Sequence, residues 1–225
     1  MTEPSYAAGL IESFLNTIDL ESGEDDIATP GALADWLTTQ GLTSSTPSLS
    51  AADHRSFLAL REGFREALDP ADPIAPRRLA AADAVLATVP VLVALGPGAP
   101  DGGPAPGGDA DPGSGRGAGT GSDPGTETGP PPGPLRPAPG QPPAATALAR
   151  LAVAWTRTAL TGEIERLKRC AEHTCGWVFW DTSKNRSRRW CSMRVCGNRT
   201  KSRRYTSRHR ATTGAPTGRG GTPVP

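Results

Sequence analysis

The chain has 225 residues and a formal net charge of +1, enough length for one domain of ordinary size beside a small one. Its longest aliphatic run, "VPVLVAL" at 89–95, falls far short of the ~20 residues needed to span a bilayer. The start, "MTEPSYAAGLIESF", is acidic where a secretory signal is basic and then apolar, so the expectation is a cytoplasmic protein without membrane association.

The first 95 residues predict short helices that must pack together to be stable. "YAAGLIESFLNTID" sets Leu10, Phe14, Leu15 and Ile18 on one helical face. "TPGALADWLTTQGL" opens with Thr29 as N-cap and Pro30 at the first helical position, and stops at Gly41. "SAADHRSFLALREGFREALD" spaces Phe57, Leu60, Phe64 and Leu68 by threes and fours behind Ser50 as cap. "PRRLAAADAVLATV" supplies a fourth helix. Residues 1–95 are read as a helical regulatory domain.

Residues 96–143 contain 15 Gly and 14 Pro among 48 positions, with Leu135 the one large apolar side chain. Such a stretch buries too little to offset the entropy of ordering and is read as a disordered linker. "AATALARLAVAWTRTALTG" reads as a further helix over 144–162, with Leu148, Leu151, Trp155 and Leu160 inward and Gly162 ending it. In sequence this helix adjoins the part that follows. Packed on the first helices, it would instead make the Gly/Pro stretch a loop within one domain; both arrangements suit the sequence. Residues 211–225 read as a disordered tail.

The small net charge conceals a segregation. Residues 163–210 hold 14 Lys/Arg against 4 Asp/Glu, and the remainder holds 10 against 19, which suggests a polyanion-binding part joined to an unlike one. The same segment holds all four cysteines, Cys170, Cys175, Cys191 and Cys196, in the pattern C-x4-C-x15-C-x4-C. Two close pairs on a short loop suit a tetrahedral Zn²⁺ site better than a disulfide framework. An Fe–S centre is the alternative metal, and four free structural or redox thiols the alternative without one. Glycine follows the second cysteine of each pair, at Gly176 and Gly197, where a metal-gripping turn often needs positive φ. His173, inside the first knuckle, is an alternative ligand in place of a cysteine but is read first as a solvated turn residue, since four thiolates complete the shell, and a closed shell makes the metal structural rather than catalytic.

Between the pairs, Trp177, Phe179, Trp180 and Trp190 supply most of a small core. Alternation in "WVFWD" predicts a short strand with Trp177 and Phe179 packed on one side, and Asp181 to Ser183 read as a turn. Two basic blocks flank the ligands, "KNRSRR" at 184–189 and "RTKSRRYTSRHR" at 199–210. The charge exceeds what a Cys₄–Zn site needs for compensation, so Lys184, Arg186, Arg188, Arg189, Arg199, Lys201, Arg203 and Arg204 are candidates for nucleic-acid contact. Arg199, directly after the second knuckle, is equally a candidate to brace it. A basic helix over 198–210 with Asn198 as N-cap is expected.

The segment "RLKRCAEHTCGWVFWDTSKNRSRRWCSMRVCGNRTKSRRY" resembles the CGNR zinc-finger family through its four cysteines, "DTSKNRSRRWCSM" and the tetrad Cys196-Gly197-Asn198-Arg199. In that family the finger follows a mainly helical domain of stress-induced transcription regulators, which "FLNTIDL" (14–20) and "TPGALADWL" (29–37) resemble more weakly. The resemblance implies a mainly α protein, zinc on the four cysteines and DNA as partner. Relatives have a shorter connection than the 48 residues found here, which leaves "VPVLVAL" as the remnant of any small strands. The leading expectation is a DNA-binding transcription regulator whose N-terminal helices sense a signal or pair two copies. An RNA- or ribosome-associated zinc protein and a zinc–thiolate redox switch are the alternatives. No catalytic role is expected, because His54, His173 and His209 form no catalytic pattern and no Gly-rich phosphate loop adjoins a strand.

Overall fold

The computed structural model describes residues 3–68, 76–95, 134–172 and 174–213, with backbone alone for Arg204 and residues 207–213. The expectations placed on His173, on 96–133, on the Arg204 side chain and on most of the 211–225 tail lie outside the described residues. Among those described, the architecture is mainly α: helices α1 (Tyr6–Leu15), α2 (Pro30–Thr39), α3 (Ala51–Ala67), α4 (Pro76–Leu86), α5 (Pro143–Leu160) and α6 (Asn198–Thr213). Strands β1 (Val91–Val93), β2 (Leu135–Pro137), β3 (Leu167–Arg169) and β4 (Val178–Trp180) form two antiparallel pairs, β1 with β2 and β3 with β4.

The helix starts follow local chemistry. Thr29 Oγ1 accepts from Ala32 N at 3.1 Å ahead of Pro30. Ser50 and Asp53 form a reciprocal capping box on α3. Phe14, Leu33, Leu37, Phe57, Leu60, Phe64, Leu148 and Leu151 then meet in one core. Trp155 stacks on Phe64 with ring centroids 4.1 Å apart, which seats α5 among the first helices. At Gly63 an added Cβ would lie 2.1 Å from Ala82 Cβ, so this glycine lets α3 and α4 approach closely.

Several sequence expectations are corrected. Helix α1 ends at Leu15, so Ile18 is not on its face; it forms an isolated β-bridge with Asp25. Leu160 is 78% exposed at the end of α5 rather than inward. The expected disordered linker reached residue 143, yet residues 135–137 form β2, with Leu92 opposite Arg136, and α5 begins at Pro143. Backbone pairing overrides the local composition there: Ala94 N donates to Pro134 O at 2.7 Å and Ala138 N to Pro90 O at 2.9 Å. Residues 96–133 therefore connect two paired strands.

The cysteine-bearing segment shares the helical core. Leu167, Val178 and Trp180 of the β3–β4 pair lie in the same buried cluster as Phe14 and Leu151. Asn16, just past α1, acts as an extra rung for β4: its Nδ2 donates to Val178 O and its Oδ1 accepts from Val178 N, both at 2.8 Å. Leu15 of "FLNTIDL" serves the same junction, and Thr17 a neighbouring one within the helical body. Leu15 O accepts from the buried Arg65, whose Nη2 also donates to Gly176 O at 2.9 Å. Thr17 Oγ1 accepts from Arg61 Nη1 at 2.9 Å, and Arg61 grips Asp25 with two bonds of 2.7 and 2.8 Å.

Candidate metal centre and basic surface

Strand β3 delivers Cys170, whose N–H donates to Trp177 O at 2.8 Å and closes the hairpin around the first knuckle. Cys175 N and Gly176 N both donate to Glu172 O, at 2.9 and 3.0 Å. Gly176 has φ +58°, as expected of a turn past a ligand. An added Cβ there would also meet Leu20 Cδ1 at 2.6 Å. The second knuckle differs. Residues Met193–Gly197 form a π-helical turn that runs directly into α6, and Gly197 does not adopt positive φ. An added Cβ there would sit 2.5 Å from Sδ of Met193, whose exposed side chain can swing away. Ser192 caps the turn, its Oγ accepting from Val195 N at 3.4 Å. Asn198 is thus not the N-cap; it is helical, and its Nδ2 donates to Arg194 O at 3.0 Å.

The four sulfurs converge. All lie within 4.8 Å of one another, with Cys175–Cys191 and Cys191–Cys196 separations of 3.6 Å. A disulfide would require ~2.05 Å, and all four cysteines are free thiols. A regular tetrahedron of sulfurs around zinc at ~2.3 Å has edges of ~3.8 Å, so the cluster is the right size for such an ion. Burial and the adjacent thiols raise the Cys191 thiol, and burial pushes Cys196 up to about 11. Several thiolates in this space require a cation among them. The four cysteines are therefore placed to hold a metal ion.

The aromatics divide differently from the expected strand pattern. Phe179 packs with Cys170 and Cys196, with Trp190 partly buried against them. Trp180, on the other face of β4, joins the main core. Both faces of β4 are thus buried, while Trp177 precedes the strand and is 38% exposed instead of packed beside Phe179.

Most of the candidate arginines have intramolecular partners. Arg188 lies over Phe179 at 4.8 Å, donates from Nε to Trp190 O at 3.3 Å and from Nη2 to Cys191 O, and so braces the second knuckle. Arg186 pairs with Glu165. Arg199 makes a two-bond pair with Glu21 at 2.8 and 3.1 Å; it braces α6 on the helical body rather than the metal turn. Its hydrogen bond holds the Glu21 carboxyl below the usual range. Arg203 Nη2 donates to Glu172 Oε1 at 2.6 Å. Arg189 is exposed with its guanidinium 5.5 Å from the Trp190 ring. Lys184 and Lys201 are exposed, without an ion-pair partner among the described residues. Arg194, on the second knuckle, shares that state and was not singled out from the sequence. The C-x4-C pattern itself places it at an exposed loop tip.

Two buried carboxylates also escaped sequence reasoning. Burial alone would raise the Asp181 carboxyl, but Lys168 Nζ at 2.7 Å, Ser183 N at 2.9 Å and Arg188 N at 3.0 Å outweigh it and hold it far below the usual range. Glu172 is 1% exposed. Burial would raise it too, yet bonds from Arg203, Thr174 and Thr200 keep it low. Arg65 shows the reverse case, burial and the nearby Arg169 drawing its guanidinium down to about 10. A lone acid in a basic segment, and arginines on the apolar face of α3, were the available signals for these groups.

A helical body that carries a four-cysteine knuckle and a cationic helix is the class defined by this fold and site. The chain belongs to the family described as "Putative stress-induced transcription regulator" (ABATE), which residues 9–163 match, and residues 166–209 match the CGNR zinc finger. The first match runs from α1 through α5, across the Gly/Pro stretch. No curated protein matches the chain. Among the described residues, no helix is long and apolar enough to cross a membrane.

Proposed function

We propose that the chain is a zinc-dependent transcription regulator whose C-terminal finger binds DNA and whose helical body senses a signal or pairs two copies. Cys170, Cys175, Cys191 and Cys196 would hold the zinc. When bound, the ion neutralises the thiolates and ties the two knuckles together. A closed four-thiolate shell leaves no position for a reacting water, so this reading gives the chain no catalytic role. The observation that carries the proposal is the set of exposed cations, Lys184, Arg194 and Lys201, with no internal ion-pair partner among the described residues, on a scaffold fixed by the cysteine cluster. Cations held in place without carboxylate partners suit phosphate. Membership of a regulator family and the segregated charge support the same reading.

The test is binding of the full-length, zinc-loaded protein to duplex DNA over a range of salt. Affinity should fall steeply with salt as counterions are released, and Lys184→Ala or Arg194→Ala should each reduce the slope by ~1. A structured RNA competitor decides between DNA and RNA. Absence of binding to either at low salt would refute the reading and leave a module for an acidic protein partner as the better description.

A further inference from the structure

Helix α6 has two unlike faces. Its inner arc carries Arg199, Thr200 and Arg203. Arg199 is held by Glu21 and Arg203 by Glu172; Thr200 Oγ1 lies 3.1 Å from Glu172 Oε2 and 2.9 Å from Cys196 O. At ~100° per residue, Asn198, Lys201, Ser202 and Tyr205 fall together on the opposite arc, and all four are exposed. Every described side chain from 201 to 206 is exposed, with Arg203 still held to Glu172 in the second turn. Polar residues nearly all round give such a helix no packing of its own. Cys196, Glu21 and Glu172 anchor its first two turns.

We infer that α6 is a recognition helix whose outer face, Asn198, Lys201, Ser202 and Tyr205, enters the major groove of duplex DNA and reads base edges there. This rests on the nucleic-acid reading above and names the groove and the residues. Shape selects the ligand. A helix of ~10–12 Å diameter fits the ~12 Å major groove of B-DNA, whereas the major groove of A-form RNA is too deep and narrow to admit side chains. Chemistry selects the residues. Lys201 donates to guanine O6 and N7, and Asn198 retains its amide oxygen and one N–H beyond the bond to Arg194 O. Residues in the first turns of a recognition helix are those that reach base edges. The inner arginines, held by Glu21 and Glu172, set the angle at which the helix leaves the body.

The experiment uses the full-length, zinc-loaded chain and a randomised duplex library. Wild type should enrich a short duplex motif. Lys201→Gln and Asn198→Ala should each flatten the preference at one base-pair position by ~5- to 150-fold, with zinc content unchanged. Lys184→Ala, off this helix, should lower affinity for all sequences alike and preserve the motif. If the α6 variants, folded and zinc-loaded, select the wild-type motif undiminished, the recognition-helix assignment is overturned while DNA binding stands. Preference for a structured RNA pool over duplex DNA also overturns it. If wild type binds no nucleic acid, both proposals fail.

Discussion

Replacing Asn16 with alanine removes a link between the helical body and the finger. The Asn16 side chain makes two bonds of 2.8 Å to the backbone of Val178, a residue with no exposed surface. Alanine would leave the Val178 N–H and C=O without those partners. A buried polar group left unpaired costs ~1–3 kcal/mol. Asn16 lies at the half-buried end of α1, where water restores part of the loss, so a total of ~2–4 kcal/mol is expected. The assay is urea unfolding of the full-length, zinc-loaded protein, followed by far-ultraviolet circular dichroism and by release of zinc to a chromophoric chelator. Wild type should show coincident transitions, and Asn16→Ala should move both to lower urea together. A loss below ~0.5 kcal/mol, or zinc release that moves without the helical signal, would refute the reasoning.

Three further outcomes are expected. Cys191→Ser should abolish stoichiometric zinc and unfold the finger, since metal binding in small structural sites supplies ~10–16 kcal/mol; metal analysis showing one retained zinc per chain contradicts this. Gly63→Ala, with its new Cβ 2.1 Å from Ala82 Cβ, should destabilise by ~1–3 kcal/mol, whereas Gly9→Ala, with nothing within 4 Å of the new Cβ, should stabilise by ~0.5–1 kcal/mol; equal signs in urea midpoints would rule out the packing explanation. Because the Asp181 carboxyl is held low in the folded chain, the unfolded chain takes up that proton first on acidification. The stabilisation is complete above the unfolded pKa of ~3.9 and is lost as pH falls toward the folded value. Asp181→Asn should therefore lower stability at neutral pH and flatten the dependence below about pH 4; an unchanged acid limb in pH-resolved denaturation counts against it.

The capped, apolar-periodic helices were legible because their signals are local. Thr29, Ser50 and the Phe57–Leu60–Phe64–Leu68 spacing each act within a turn or two of chain. The four cysteines were legible for a similar reason, since paired spacing encodes their convergence. The partners of the charged groups were not legible. Arg199 reads equally as a phosphate contact or a brace for the metal turn until the fold brings Glu21 to it across 178 positions of sequence. Asp181 reads as a turn until Lys168 and the Arg188 N–H enclose it. Strand β2 sits in a Pro-rich stretch whose composition argues against order, and only pairing with Val91–Val93 shows otherwise. The role of Asn16 depends on a strand 162 residues away, beyond the reach of any window.

Hydrogen exchange on the full-length chain, with zinc bound and after chelation, tests most directly whether metal, finger and helical body form one unit. Arg65 joins Leu15 O to Gly176 O, beside a cysteine of the cluster, and Asn16 joins α1 to β4. Zinc removal should therefore deprotect not only residues 170–197 but also the strip 14–20 and the turn of α3 around Arg65. Loss of protection confined to the finger, with α1 and α3 unchanged, would contradict it.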